Sequence, residues 1–161
     1  MAVSLAAVFV LSSLAGRLLL VVHLLIAVFV IGVVTHHGWL LLRGNVPEAR
    51  LARYARWMAI GYPLSWLMGV VVYPSYNVLI RKPPIGVLES LARWAVGMFE
   101  IKEHVGSIAL AMLPWLVLSA VRYGGLGRVE RFSYRAATWV FTLFVYYAFV
   151  AGAVVTMVKS F

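Results

Sequence analysis

Residues 18–42 read LLLVVHLLIAVFVIGVVTHHGWLLL, and this stretch decides the fold because it contains no Lys, Arg, Asp or Glu. About 20 apolar residues, each adding ~1.5 Å of helix, cross the ~30 Å hydrocarbon core of a bilayer. The stretch is therefore long enough to cross a membrane as one helix. Its ionisable residues, His23, His36 and His37, need a separate explanation.

The rest of the chain contains three more uncharged stretches, at residues 57–80, 104–121 and 136–158. The stretch at 104–121 needs residues from its amino-terminal flank to reach spanning length. Short connections force neighbouring helices to run antiparallel. The sequence thus predicts an all-α, integral membrane, up-down-up-down four-helix bundle in a single domain, residues 1–161. Its predicted spans are 17–42, 57–80, 100–122 and 136–158, with 1–16 as a helix extension or an interfacial segment.

The composition excludes a soluble single domain. The 161 residues are 64% hydrophobic and 12% charged, whereas ordinary soluble domains have roughly 45–50% apolar and about 25% charged residues. The net charge of +9 does not indicate a nucleic-acid partner, because the basic residues flank apolar runs instead of forming a patch. The absence of cysteine excludes disulfides, thiolate catalysis and Cys-ligated iron–sulfur clusters.

The basic residues are unevenly divided between the two sides of the predicted bundle. One side has Arg43, Arg50, Arg53, Arg56, Arg122, Arg128, Arg131 and Arg135. The other side has Arg17, Arg81, Lys82, Arg93, Lys102 and Lys159. Cytoplasmic loops carry the excess of Lys and Arg, so we expect a multi-pass plasma-membrane protein with both termini outside. The preponderance of Arg over Lys is compatible with a thermophilic source.

Two histidines suggest a cofactor site within the predicted bundle. Ionisable residues inside membrane spans are costly and are candidates for function. His23 lies near the start of the first predicted helix and His104 near the start of the third, and these two helices run parallel. Imidazoles at one level on two facing helices can hold a haem iron axially. We therefore predict one b-type haem near the outer face, with His23 and His104 as its metal ligands.

The spacing of the histidines supports this assignment. His23 and His37 are 14 residues apart, which returns nearly to the same helix face about 21 Å further along. This pattern resembles that of the membrane b-type cytochromes, whose two ligand helices each carry two histidines at this spacing. The resemblance covers one helix and His104, and Leu118 stands 14 residues after His104, so it implies a single haem. His36 and His37 remain unassigned candidates.

Other residues at the same level complete the predicted pocket. Gly106 and Gly152 remove side-chain bulk beside a flat macrocycle, and basic side chains can pair with its propionates. We expect cofactor contacts from Arg17, Arg81, Lys82, Gly106 and Tyr76, and a tuning or proton site at Glu100 and Lys102. A simpler interpretation makes the glycines packing contacts, the tyrosine part of the headgroup belt and the charges interfacial ion pairs.

The function that follows is electron transfer with a quinol or a partner redox protein. A bis-histidine haem leaves no open iron position, so electron transfer is favoured over catalysis on a substrate. One alternative is a non-catalytic membrane subunit or assembly factor of a larger complex. The partners that we expect are the lipid bilayer and either further copies of the chain or a larger complex. A second is a proton-coupled transporter that uses Glu100, Lys102 and His104. The sequence contains no Asp for a Ser-His-Asp triad and no phosphate-binding Gly-x-x-x-x-Gly-Lys motif.

Overall fold

The computed structural model describes residues 14–43, 47–77, 81 and 88–159, and over these residues the chain is helical with no strand. The long helices are α1 (Leu14–Leu42), α2 (Glu48–Tyr76), α4 (Arg93–Val121) and α5 (Arg128–Lys159). A short helix, α3 (Leu88–Leu91), precedes α4, and a 3-10 turn at Tyr123–Gly125 follows it. The all-α prediction is confirmed. Lys82 and residues 1–13 lie outside the described residues.

Three of the long helices are long and apolar enough to cross a membrane, at Gly16–Leu42, Arg93–Val121 and Arg128–Val158. The predicted span 57–80 belongs to α2, which is not in this set. Its arginines are confined to the first turns, but Gly61, Tyr62, Pro63, Ser65 and Pro74 lower the mean hydropathy of its uncharged part. The helices also begin earlier than the predicted spans, α2 at Glu48 and α5 at Arg128. Charged residues are excluded from hydrocarbon but not from a helix, so a helix continues past a membrane boundary.

The four long helices pack in a ring, α1 on α2, α2 on α4, α4 on α5 and α5 on α1. The main core joins all four of them, and its fully buried side chains include Val34, Leu51, Met58, Leu116 and Phe141. A smaller apolar cluster lies at the end where α2 finishes and α4 begins. It contains Tyr76, Leu88, Ala92, Ala95, Val96 and Val155.

The outer surface of the ring is apolar. On α1 the exposed side chains include Leu18, Val21, Leu24, Leu25 and Val28. Soluble monomers rarely expose a contiguous apolar surface of this extent, and such surfaces mark membrane or protein contacts. The exposed surface and the three apolar helices are together consistent with a membrane protein.

Candidate functional site

Charged side chains gather at the end of the bundle where α2 finishes and α4 begins. We name five of them the polar cluster: His23, Arg81, Glu100, Lys102 and Glu103. The Arg81 guanidinium donates to the Glu100 carboxylate at 2.5 Å and lies 3.9 Å from the Glu89 carboxylate. Its side chain is 14% exposed, against 42% for Glu89 and 47% for Glu100. Arg81 therefore ties the segment after α2 to the helices α3 and α4.

Arg81 is held in its charged form by these contacts. Burial by itself would lower the pKa of its guanidinium, but the hydrogen bond and the charge of Glu100, together with Glu89, outweigh burial and raise that pKa. The guanidinium is thus a fixed positive charge. The guanidinium also interacts electrostatically with Glu103, which lies one helical turn after Glu100 on α4.

Lys102 points into the bundle and is only partly exposed. Its ammonium lies 4.8 Å from the centroid of the Phe99 ring, a cation–π contact. Opposite it, α5 has Gly152, where an added β-carbon would stand 3.5 Å from the Lys102 Nζ. No carboxylate of the described residues lies within 4 Å of this ammonium. Glu103 is near enough for the two charges to interact, but does not form an ion pair with Lys102.

His23 reaches the same place from α1. Its ring is half-buried, its Cε1 faces Gly69 of α2, and the ring interacts electrostatically with Lys102. The His23 Nδ1 atom is buried and has no hydrogen-bond partner among the described residues. The structure therefore brings together a cation on α4 and an unpartnered imidazole nitrogen on α1.

His104 has a different environment from the one that the sequence predicts. Its side chain is exposed, and its Nδ1–H donates to the Glu100 carbonyl at 2.8 Å. The buried face of α4 includes Ala95, Gly106 and Ala109, and His104 lies about 200° around the helix from Gly106. Lys102 and Glu103 therefore turn toward the bundle, and His104 turns away from it.

The described side chains do not fit a haem between His23 and His104. One of the two imidazoles is outside the bundle, and the space beside Gly106 is filled. The Tyr62 hydroxyl donates to the Gly106 carbonyl at 3.0 Å, and Trp66 packs against the same glycine. Gly152 makes room for Lys102 and not for a macrocycle. Haem binding stays a prediction that this placement of His104 does not favour.

Tyr76 belongs to the interior. It is 5% exposed, its ring stacks on Phe99 at a centroid distance of 4.2 Å, and its buried hydroxyl has no hydrogen-bond partner among the described residues. Phe99 is shared, since Tyr73 stacks on it as well and Lys102 lies over it. Tyr76 is thus next to the polar cluster. Arg17, by contrast, is exposed and forms no ion pair within the described part of the chain.

A second polar group lies at the opposite end of the bundle. The buried His37 Nε2 and the Tyr134 hydroxyl form a hydrogen bond of 2.6 Å, and both side chains are fully buried. The Thr138 hydroxyl donates to the Tyr134 carbonyl. The neighbouring His36 is exposed, donates to the Gly32 carbonyl and stacks on Tyr54. Sequence reasoning missed Tyr134, because nothing in its local sequence shows that it faces His37.

Within the described ranges, no group of three or more His, Asp or Glu side chains is placed to hold a metal ion. No known protein family, curated protein or solved structure matches this chain.

Proposed function

We propose that the protein transports protons across the membrane, with the polar cluster as its outer proton site. The observation that carries this proposal is the Lys102 ammonium, which points into the bundle from an apolar helix with no carboxylate within 4 Å among the described residues. The proposal uses Glu100 and Lys102, as the sequence suggests, but replaces His104 by His23.

The free-energy cost of Lys102 supports a functional role. A Lys at the centre of a spanning helix costs roughly 2.5–3.5 kcal/mol on insertion scales, and Lys102, which lies nearer the outer end, costs less than that. Ionisable residues within spans nevertheless mark ion or substrate pathways. A methionine or leucine at this position would pack without that cost. The ammonium instead interacts electrostatically with the His23 ring, whose Nδ1 has no hydrogen-bond partner among the described residues.

Proton transfer within the cluster uses Lys102, His23 and one water, because the His23 Nδ1 has no hydrogen-bond partner among the described residues. An N–H bond of the Lys102 ammonium breaks as an O–H bond forms on a water between the two groups. An O–H bond of that water breaks as an N–H bond forms on the Nδ1 of His23, and the positive charge moves from α4 to α1. The carboxylates of Glu100 and Glu103, the first of them 47% exposed, connect the cluster to water. A proton is thereby exchanged between the outer medium and the bundle interior.

The bundle interior offers polar groups beyond the cluster. The buried polar side chains of the main core are His37, Thr138 and Thr142, and the Thr142 hydroxyl donates to the Thr138 carbonyl. Tyr62 contacts Phe141, the neighbour of Thr142, and is bonded to Gly106, one turn after Lys102. These groups form an interrupted row from the cluster to the His37–Tyr134 pair. The row supports proton passage across the bundle.

The membrane arrangement is part of the proposal. We infer that α2 is a fourth span, because it packs between α1 and α4, which are both apolar enough to cross. The four spans then alternate in direction, and the arginine-rich end is cytoplasmic by the positive-inside rule. The polar cluster lies at the outer end of a plasma-membrane protein.

Proton uptake into vesicles tests the proposal. The purified protein is reconstituted with an entrapped pH-sensitive dye, and a potassium diffusion potential drives protons inward. We expect wild-type vesicles to acidify faster than empty ones, and Lys102→Met to lower the protein-dependent rate about tenfold or more, as for loss of a proton-transfer group. Arg93→Gln removes an exposed cation from the same helix and is expected to leave the rate unchanged.

Two results would contradict the proposal. One is a wild-type rate equal to that of empty vesicles, and the other is full activity in Lys102→Met. Misfolding is distinguished by thermal unfolding in detergent, where we expect Lys102→Met to be at least as stable as wild type because it removes the partly buried cation.

A further inference from the structure

A surface pocket lies at the arginine-rich end, beside the start of α5. Leu126, Arg128, Arg131, Phe132 and Arg135 line it. The three arginines are spaced by three and four residues, which places them on one face of the helix. Three guanidinium groups therefore surround one pocket, and it is remote in the fold from the polar cluster.

Two of these guanidinium groups are held in place by neutral acceptors. The Arg131 Nε donates to the Leu126 carbonyl at 2.9 Å, and its Nη2 donates to the Gly124 carbonyl at 2.8 Å. The half-buried Arg135 donates from Nε to the Tyr123 hydroxyl at 3.1 Å. An arginine has five N–H donors, so both keep donors for a further partner.

None of these three arginines forms an ion pair within the described part of the chain. Among the described residues no Asp or Glu oxygen lies within 4 Å of Arg128, Arg131 or Arg135. Glu130 is close in sequence, but its carboxylate accepts the Gly127 N–H at 2.8 Å, where it caps the start of α5. The pocket thus presents three unpaired positive charges, two of them in fixed positions, and such charges suit recognition of an anionic oxygen group.

Exposed apolar side chains adjoin the arginines. Phe132 is 72% exposed within the pocket, and Val129, one turn before it, is 77% exposed. A free inorganic anion would use the guanidinium groups and leave this apolar surface in water. A ligand with an anionic head and an apolar tail uses both. Basic pockets at the cytoplasmic ends of spanning helices bind such lipid headgroups.

We propose that this pocket binds the phosphate headgroup of an anionic membrane lipid, with the acyl chain against Phe132. The inference does not depend on proton transport. Native mass spectrometry of the protein in detergent measures it directly, by titration with phosphatidylglycerol and, separately, with zwitterionic phosphatidylcholine. We expect the wild type to bind the first lipid at least about tenfold more tightly than the second.

The matched variants remove equal charge at the same end of the molecule. Arg128→Gln/Arg135→Gln is expected to weaken phosphatidylglycerol binding about tenfold, whereas Arg53→Gln/Arg56→Gln, an exposed pair on α2, is expected to change it less than about twofold. Arg128→Gln alone keeps the Arg135 bond to Tyr123 and is expected to weaken binding roughly threefold. Equal loss in the two double variants would show only diffuse attraction to a basic surface, and would overturn the proposal.

The source of the phosphate is tested by competition. We expect inorganic phosphate in large excess not to displace phosphatidylglycerol, and Phe132→Ser to weaken the lipid severalfold without loss of charge. Displacement by phosphate at a concentration equal to that of the lipid, or an unaltered lipid affinity in Phe132→Ser, would identify a free-anion site and overturn the assignment to a lipid.

Discussion

Gly152 has no side chain and so leaves space on α5 for the Lys102 ammonium. A β-carbon at this position would stand 3.5 Å from the Lys102 Nζ, which is ordinary van der Waals contact. An alanine therefore just fits, whereas a longer side chain must occupy the volume of the ammonium. The polar cluster thus depends on a residue of α5 that has no polar side chain of its own.

We expect Gly152→Ala to keep most of the proton flux and Gly152→Leu to lower it as strongly as Lys102→Met, since leucine displaces the ammonium. The vesicle assay measures both. Gly32→Leu is the control, because a β-carbon at Gly32 has no neighbour within 4 Å. Full flux in Gly152→Leu would show that the position of Lys102 between Phe99 and α5 is unimportant.

The buried side chains of His37 and Tyr134 are each other's hydrogen-bond partners. The pair is fully buried, and the His37 Nδ1 already has no partner among the described residues. Tyr134→Phe leaves Nε2 unpaired too, so we expect a loss of about 1–2 kcal/mol in the free energy of unfolding. Tyr146→Phe, which breaks an exposed hydrogen bond to Thr35, is expected to cost less than about 0.5 kcal/mol. Unfolding in mixed detergent micelles compares them, and equal stabilities would contradict the role of burial.

At the scale of the helices, the sequence predicts much of the fold and little of the site. Uncharged length alone locates all four long helices, because the cost of charge in hydrocarbon is large. The sequence does not show which side of α4 faces inward, because the consecutive residues Lys102, Glu103 and His104 point in three directions that cover most of a turn. Spacing fixes the angles between these residues but not the angle of the helix to its neighbours. The small residues Ala95, Gly106 and Ala109 mark the packed face, and that signal places His104 outside.

Helices α1 and α2 pack closely at Gly61. A β-carbon there would lie 3.0 Å from a methyl group of Val30, which is fully buried and cannot move aside. Gly61→Ala is expected to be less stable than Gly32→Ala by about 1–3 kcal/mol, although both gain the same helix propensity. Thermal unfolding in detergent measures the difference. Equal stabilities of the two variants would mean that α1 and α2 are not in contact at this level.

At the scale of the whole molecule, the two ends differ in charge and in chemistry. One end has the arginines of α2 and α5 and the lipid pocket, and the other has the polar cluster with three of the five acidic residues, Glu89, Glu100 and Glu103. Proton entry from outside and lipid binding inside require these ends to face opposite sides of the membrane. The orientation is therefore common to both proposals.

The absence of cysteine makes that orientation measurable, since each introduced thiol is the only one in the chain. Arg53→Cys lies at the arginine-rich end and Arg93→Cys at the other, and both positions are exposed. With a membrane-impermeant maleimide we expect Arg93→Cys to be labelled in intact cells and Arg53→Cys only after permeabilisation. The reverse pattern would place the polar cluster in the cytoplasm and the lipid pocket outside. Labelling of both thiols in intact cells would mean that α2 does not cross the membrane, because these thiols lie at opposite ends of the bundle.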